Sequence, residues 1–276
     1  MPLSPDYQAM FEQLASAEPM PPLWEMTPEQ GREMYRAARP VITELPVGQI
    51  DNQIIKGSDA EIPIRIYYPD GEGPFGTLLY FHGGGWVIGD LDTGDAVCRE
   101  MSTLANVVVV SVDYRMAPEA IYPAAVDDSY AALEWVEKNK VLLKGNDKIG
   151  VTGESAGGNL SAAVALKTRE LNGPVVDFQC LVYPVTDCDL SRQSYIDNGS
   201  GYMLEVESMK WFWDTYCPDE KKRIEPYASP IREKNLESLK HKKPHRHLRL
   251  LRPMSSWFDE EILSLIHISE PTRLLS

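Results

Sequence analysis

The sequence predicts an α/β fold: a mostly parallel sheet with helices on both faces and a helical cap. Three observations carry that expectation. Strand-like and helix-like segments alternate from residue 77 onward. The apolar run Lys148-Ile149-Gly150-Val151-Thr152 enters Gly153-Glu154-Ser155-Ala156-Gly157, and a helix-forming stretch, Ser161 to Glu170, follows at once. A second apolar run, Thr77 to Phe81, ends in three consecutive glycines, where open α/β sheets place their ligands.

The elements before and between these runs follow from local pattern. Residues 1–45 are amphipathic and expected to be mostly helical. Tyr7, Met10, Phe11 and Leu14 recur at helical spacing, as do Met34, Tyr35 and Ala38, with Pro19, Pro21 and Pro22 interrupting between them. Gln49–Ile55 and Ile62–Tyr68 read as paired strands, the second alternating Ile64, Ile66 and Tyr68 against Arg65 and Tyr67. Asp70 to Pro74 is a surface turn. Asp92–Ala105 reads as a helix, Val107–Val112 as a buried strand, Pro123–Asn139 as a helix and Phe178–Val185 as a further strand. Residues 187–225 break the alternation with an aromatic, Met-rich patch: Tyr202, Met203, Leu204, Met209, Trp211, Phe212, Trp213 and Tyr216. Such a stripe is either ordinary helix core or a lid over an apolar pocket, in which Tyr202, Met203, Trp211 and Trp213 would line the substrate site.

Composition excludes several classes of function. A formal net charge of −14 argues against nucleic acid or an anionic membrane as partner. Cys98, Cys180, Cys188 and Cys217 are scattered without a C-x-x-C pair, which argues against structural zinc and a disulfide framework. The sequence contains no signal-peptide pattern and no apolar run of about 18 residues, so a cytoplasmic protein without a membrane span is expected.

The candidate site centres on Ser155. A strand turning sharply into a helix holds the middle residue in a strained conformation with its hydroxyl clear of the backbone. Small neighbours, Gly153, Ala156, Gly157 and Gly158, let strand and helix approach, and the helix N-terminus favours developing negative charge. The bland alternative is a glycine-rich turn with an incidental serine. The second candidate element is His82-Gly83-Gly84-Gly85-Trp86, whose bare N–H groups suit an anionic or polarised oxygen. Its bland alternative is a flexible loop. His82 is expected to hold this loop rather than to act as a base. Asp113 and Arg115, in Asp113-Tyr114-Arg115-Met116-Ala117-Pro118-Glu119, are expected to form a loop-fixing ion pair.

On His82-Gly83-Gly84-Gly85-Trp86, the Asp113–Glu119 motif, Gly153-Glu154-Ser155-Ala156-Gly157-Gly158-Asn159 and Tyr183-Pro184, the chain resembles the bacterial hormone-sensitive-lipase-like esterases, a family of α/β-hydrolases. The resemblance covers about residues 1–238. It implies Ser155 as nucleophile and the N–H groups of Gly84, Gly85 and Ala156 as the oxyanion hole. It implies an N-terminal part of a cap in 1–45, a core in 46–186, a cap insertion in 187–225 and a return to the core in 226–240. The implied activity is hydrolysis of a small-molecule ester with a short to medium acyl or aryl group, without metal or organic cofactor; amide substrates stay open, as does oligomeric state. The alternative on the same scaffold is a non-catalytic protein that binds a small apolar ligand.

The family also implies an acid and a histidine after two further strands, beyond Leu239. There the composition turns abruptly basic, with no Asp-Pro-Leu-like acid motif and no His-Gly-Phe-like histidine motif. Asp259 follows Trp257-Phe258 without an apolar strand leading into it, and nothing places His241, His245, His247 or His267 within reach of Ser155. Leu263 to Arg273 resembles a translated sequencing adapter. The expectation is that the reading frame slips near Leu239–His241, that 241–276 is not native and that the C-terminal strands are missing. A continuous genomic frame encoding the same tail would contradict it.

Overall fold

A computed structural model describes Gln8, Ala9, Glu12 and residues 21–235. The expectations for Tyr7, Met10, Phe11 and Leu14 and for the sequence beyond residue 235 lie outside the described residues. Six strands form one sheet: β1 (Gln49–Lys56), β2 (Glu61–Tyr68), β3 (Phe75–Phe81), β4 (Val107–Val112), β5 (Gly145–Glu154) and β6 (Phe178–Val182). Their order is β1-β2-β4-β3-β5-β6. β2 is antiparallel to both β1 and β4, while β4, β3, β5 and β6 run parallel. The early hairpin and the parallel remainder are thus as the alternation pattern predicts.

Both faces of the sheet are covered, as long β-branched runs require. On one face Tyr67, Tyr80 and Val109 pack with Cys98 of α2 (Asp95–Ala105). On the other, Ile62, Ile64, Ile66, Leu79, Phe81 and Val110 pack with α3 (Ala124–Lys138) and α4 (Ala156–Glu170). In β2 the alternation therefore sorts Ile from Tyr67 between two buried faces.

Local chemistry sets the element ends. α1 (Pro28–Ala37) opens on a capping box between Thr27 and Gln30 with Pro28 in its first turn. The rest of 21–48 is turn and irregular chain apart from a single 3₁₀ turn, Leu23–Glu25, so the described stretch 21–45 is less helical than expected. α2 begins at Asp95 rather than Asp92, because the Asp90 carboxylate accepts from the N–H groups of Asp92 and Thr93 and closes a turn there. β6 ends at Val182, three residues early, because Tyr183 turns to φ +35° ahead of Pro184.

Beyond β6 the chain carries α5 (Gln193–Asn198), α6 (Val206–Tyr216) and α7 (Glu220–Arg223). Asp187, buried at the start of this excursion, accepts from Arg192 and from Arg232 at its end. The Asn159 amide on α4 donates to the carbonyls of Val185 and Ala228, joining the same two ends to the core.

Candidate active site

Ser155 joins β5 to α4 with no intervening residue and has φ +54° and ψ −116°. A non-glycine residue there is strained by about 1–3 kcal/mol, and only its surroundings hold it. They hold it at both backbone atoms: its N–H donates to Val182 O (2.9 Å), and its carbonyl accepts from Val185 N (3.1 Å) and Asn159 N (3.0 Å). The turn demands small neighbours for a geometric reason. A Cβ on Gly157 would stand 1.8 Å from Phe81 O, and one on Gly153 2.3 Å from the same atom.

That carbonyl belongs to the end of β3, paired in register with Gly153. The loop leaving β3 therefore starts beside Ser155. Gly83 N–H donates to Glu154 Oε1 at 2.7 Å, tying the loop to the residue before the serine. Burial raises the Glu154 pKa, and the Gly83 bond opposes that shift only in part.

Gly84, Gly85 and Trp86 have φ of +115°, +58° and +60°. The resulting turn is closed by Val87 N and Ile88 N, both donating to Gly84 O (3.1 and 3.0 Å). Within the described residues the N–H groups of Gly84, Gly85 and Ala156 make no hydrogen bond. Trp86 is fully buried, stacked on Tyr216 at 4.1 Å and packed against Trp213 at 5.0 Å. Phe212 lies flat on the loop, so that a Cβ on Gly85 would meet its ring at 2.1 Å.

His82 is buried beneath this turn, stacked on Tyr114 at 4.3 Å. Its Nδ1–H donates to Gly83 O (2.8 Å), and Tyr114 Oη donates to the His82 carbonyl (2.7 Å). Burial pushes its pKa down to about 4, which leaves a neutral and weak base. Of the five histidines it alone lies among the described residues. The expected acid and histidine, and Asp259 with the late histidines weighed for those roles, lie outside them.

Two sequence expectations need correction. Arg115 does not pair with Asp113. It pairs with Asp128 of α3, which is fully buried and accepts from Arg115 N, Nε and Nη2 at 2.8–2.9 Å. Asp113 instead sits half-buried, its pKa pushed up to about 6 by burial and then by the Asp90 charge. Trp213, expected to line the substrate site, is fully buried against Trp86 and Tyr216, so at this position the aromatic stripe packs as helix core. Met203 is 67% exposed, Tyr202 is half-buried, and Trp211 is half-buried with its ring against Phe212. Phe212 was visible only as one member of that stripe, and Asp128 had no local signal at all.

Among the described residues no group of three or more His, Cys, Asp or Glu is placed to hold a metal ion. No described helix is long and apolar enough to cross a membrane.

Residues 78–243 match the family described by the alpha/beta hydrolase fold. A Mycobacterium tuberculosis protein named carboxylesterase NlhH is 45% identical over 160 residues, 57% of this chain and 50% of its own length. An arylesterase of Saccharolobus solfataricus is 34% identical over 87% of this chain and 78% of its own. The solved structure of a hyperthermophilic esterase from Pyrobaculum calidifontis superposes with a TM-score of 0.78 at 35% identity, covering 84% of this chain and 75% of that one. The chain thus spans about half the length of the mycobacterial relatives at the head of these matches.

Proposed function

The chain belongs to the α/β-hydrolase fold family, and on that premise we propose that it is a serine carboxylesterase acting on short to medium acyl or aryl esters. Ser155 Oγ attacks the ester carbonyl, the alcohol leaves, and water hydrolyses the acyl-enzyme. The N–H groups of Gly84, Gly85 and Ala156 receive the oxyanion of the tetrahedral intermediate. Trp86, Glu154 and His82 act as supports, holding those donors beside Ser155. The observation that carries the reading is the conformation of Ser155 at a strand–helix junction whose neighbour is a loop of three successive positive φ values. A protein that only binds an apolar ligand has no use for either feature. Residues 46–186 are the core of this arrangement; the N-terminal helix and 187–225 form its cap, with Phe212, Trp213 and Tyr216 packed on the loop.

Relatives named carboxylesterase, arylesterase and ethyl acetate hydrolase support the substrate class. The test is hydrolysis of p-nitrophenyl acetate and butyrate by the chain carrying the C-terminus that resequencing recovers, and by Ser155→Ala in that same chain. The expected loss is at least about 10³-fold. Hydrolysis that survives Ser155→Ala unchanged would refute the assignment.

A further inference from the structure

The turn over Ser155 needs an external restraint. Three successive positive φ values, one of them at a tryptophan, are held by only two bonds inside the turn, both to Gly84 O. Beyond the Glu154 bond and the packing of Trp86, a polar restraint comes from α1, a helix more than fifty residues away in sequence. Arg32 Nε donates to Val87 O at 2.8 Å, on the residue that follows Trp86. Arg32 Nη2 donates to Ala117 O at 2.9 Å, and Ala117 N donates in turn to Trp86 O at 2.9 Å. Nη1 and Nη2 also hold both oxygens of Glu119 at 2.8 and 2.7 Å. One guanidinium, 16% exposed, thus fastens α1, the glycine turn and the segment after β4 together.

We propose that Arg32 is a positioning residue for the oxyanion-binding turn, acting through the carbonyls of Val87 and Ala117 to hold the Gly84 and Gly85 N–H groups toward Ser155. It touches no reacting atom, and the proposal rests on the esterase reading above. The planar fork is essential. A lysine brings a point charge that satisfies Glu119 but cannot bond Val87 O, Ala117 O and Glu119 in one plane. Glu119 is the lesser partner: it is 57% exposed, and the two carbonyl bonds remain without it. Arg32 orients the donors without supplying them, so its removal falls short of the 10²–10³-fold loss on deleting an oxyanion donor, at about 10-fold.

The test measures modification of Ser155 by a fluorophosphonate probe in the chain carrying the C-terminus that resequencing recovers, separating the limiting rate from the half-saturating concentration, in wild type, Ser155→Ala, Arg32→Ala, Arg32→Lys and Glu119→Gln. In both Arg32 variants the limiting rate falls about 10-fold while half-saturation stays within about two-fold, and Glu119→Gln loses less than about three-fold. Added guanidinium ion restores Arg32→Ala, and hydrogen exchange at residues 83–88 rises in that variant and falls back on rescue. Should the alanine variant not fold, the lysine variant carries the same test. A limiting rate unchanged in Arg32→Lys overturns the proposal, as does a rise in half-saturation alone. A wild type that does not react at Ser155 overturns the esterase reading and this proposal together, whereas reactive wild type with equally reactive Arg32 variants overturns this proposal alone.

Discussion

Gly157→Ala isolates the contact that brings the two halves of the candidate site together. Gly157 is helical, so the substitution carries no penalty from a positive φ, and alanine on an exposed helix would stabilise. The penalty is steric. The added methyl would stand 1.8 Å from Phe81 O, 2.6 Å from Phe81 C and 2.8 Å from His82 O, against about 3.5 Å for a relaxed contact. All three are backbone atoms, so no side chain can rotate away. Phe81 is paired with Val112 on one side and Gly153 on the other, and the elbow is fixed through Ser155 N and O. Relief needs a shift of more than about 1 Å between β3 and α4, at a cost of about 3–5 kcal/mol. With a urea m-value of about 2–3 kcal/mol/M, the unfolding midpoint falls by about 1–2.5 M. Gly201→Ala is the comparator: φ is +77° and nothing lies within 4 Å of its Cβ, so only a backbone cost of about 1 kcal/mol applies. Equilibrium urea unfolding followed by tryptophan fluorescence reads both. Any surviving folded Gly157→Ala should also lose the proposed esterase activity, because the shift displaces His82 and the turn from Ser155. Equal midpoints for the two variants would refute the reasoning.

The buried pair Arg115–Asp128 should respond asymmetrically. Arg115→Ala leaves a fully buried carboxylate without its guanidinium and costs about 3–5 kcal/mol, whereas Asp128→Ala leaves a cation that is 28% exposed and costs about 2 kcal/mol; equal losses in denaturant unfolding would argue against it. Asp113 makes a pH-dependent prediction. Its folded pKa, raised from 3.8 to about 6, exceeds the unfolded one, so the penalty is absent below about pH 4, grows between the two and is complete above about pH 6. The rise corresponds to at most about 3 kcal/mol, which partial exposure reduces to about 1–2 kcal/mol. Asp113→Asn should therefore raise the melting temperature at pH 8 and leave it unchanged near pH 4; the same gain at both pH values would refute the assignment.

Much of the candidate site was legible because its demands are local. A residue that must turn a strand into a helix needs small neighbours on both sides, and Gly153, Ala156 and Gly157 write that need into five consecutive positions. The glycines of 83–85 similarly mark a turn that a side chain would obstruct. The stripe from Met209 to Tyr216 was ambiguous because helical periodicity states that a face is apolar and not what covers it; Trp86 turned out to be the cover for Trp213. Motif proximity misled in one case: Asp113 and Arg115 stand two apart on extended chain, where side chains share a face only in a regular strand, and Arg115 reaches Asp128 instead.

The sequence by itself determined the kind of most core elements and singled out Ser155 as the candidate nucleophile, because apolar period, glycine placement and turn chemistry act over a few residues. Only the tertiary structure decided which distant groups meet: Phe81 opposite Gly153, Phe212 flat on Gly85, Arg32 across to Val87, Ala117 and Glu119. Those pairings depend on strand register and on closing long loops, and no local pattern encodes either.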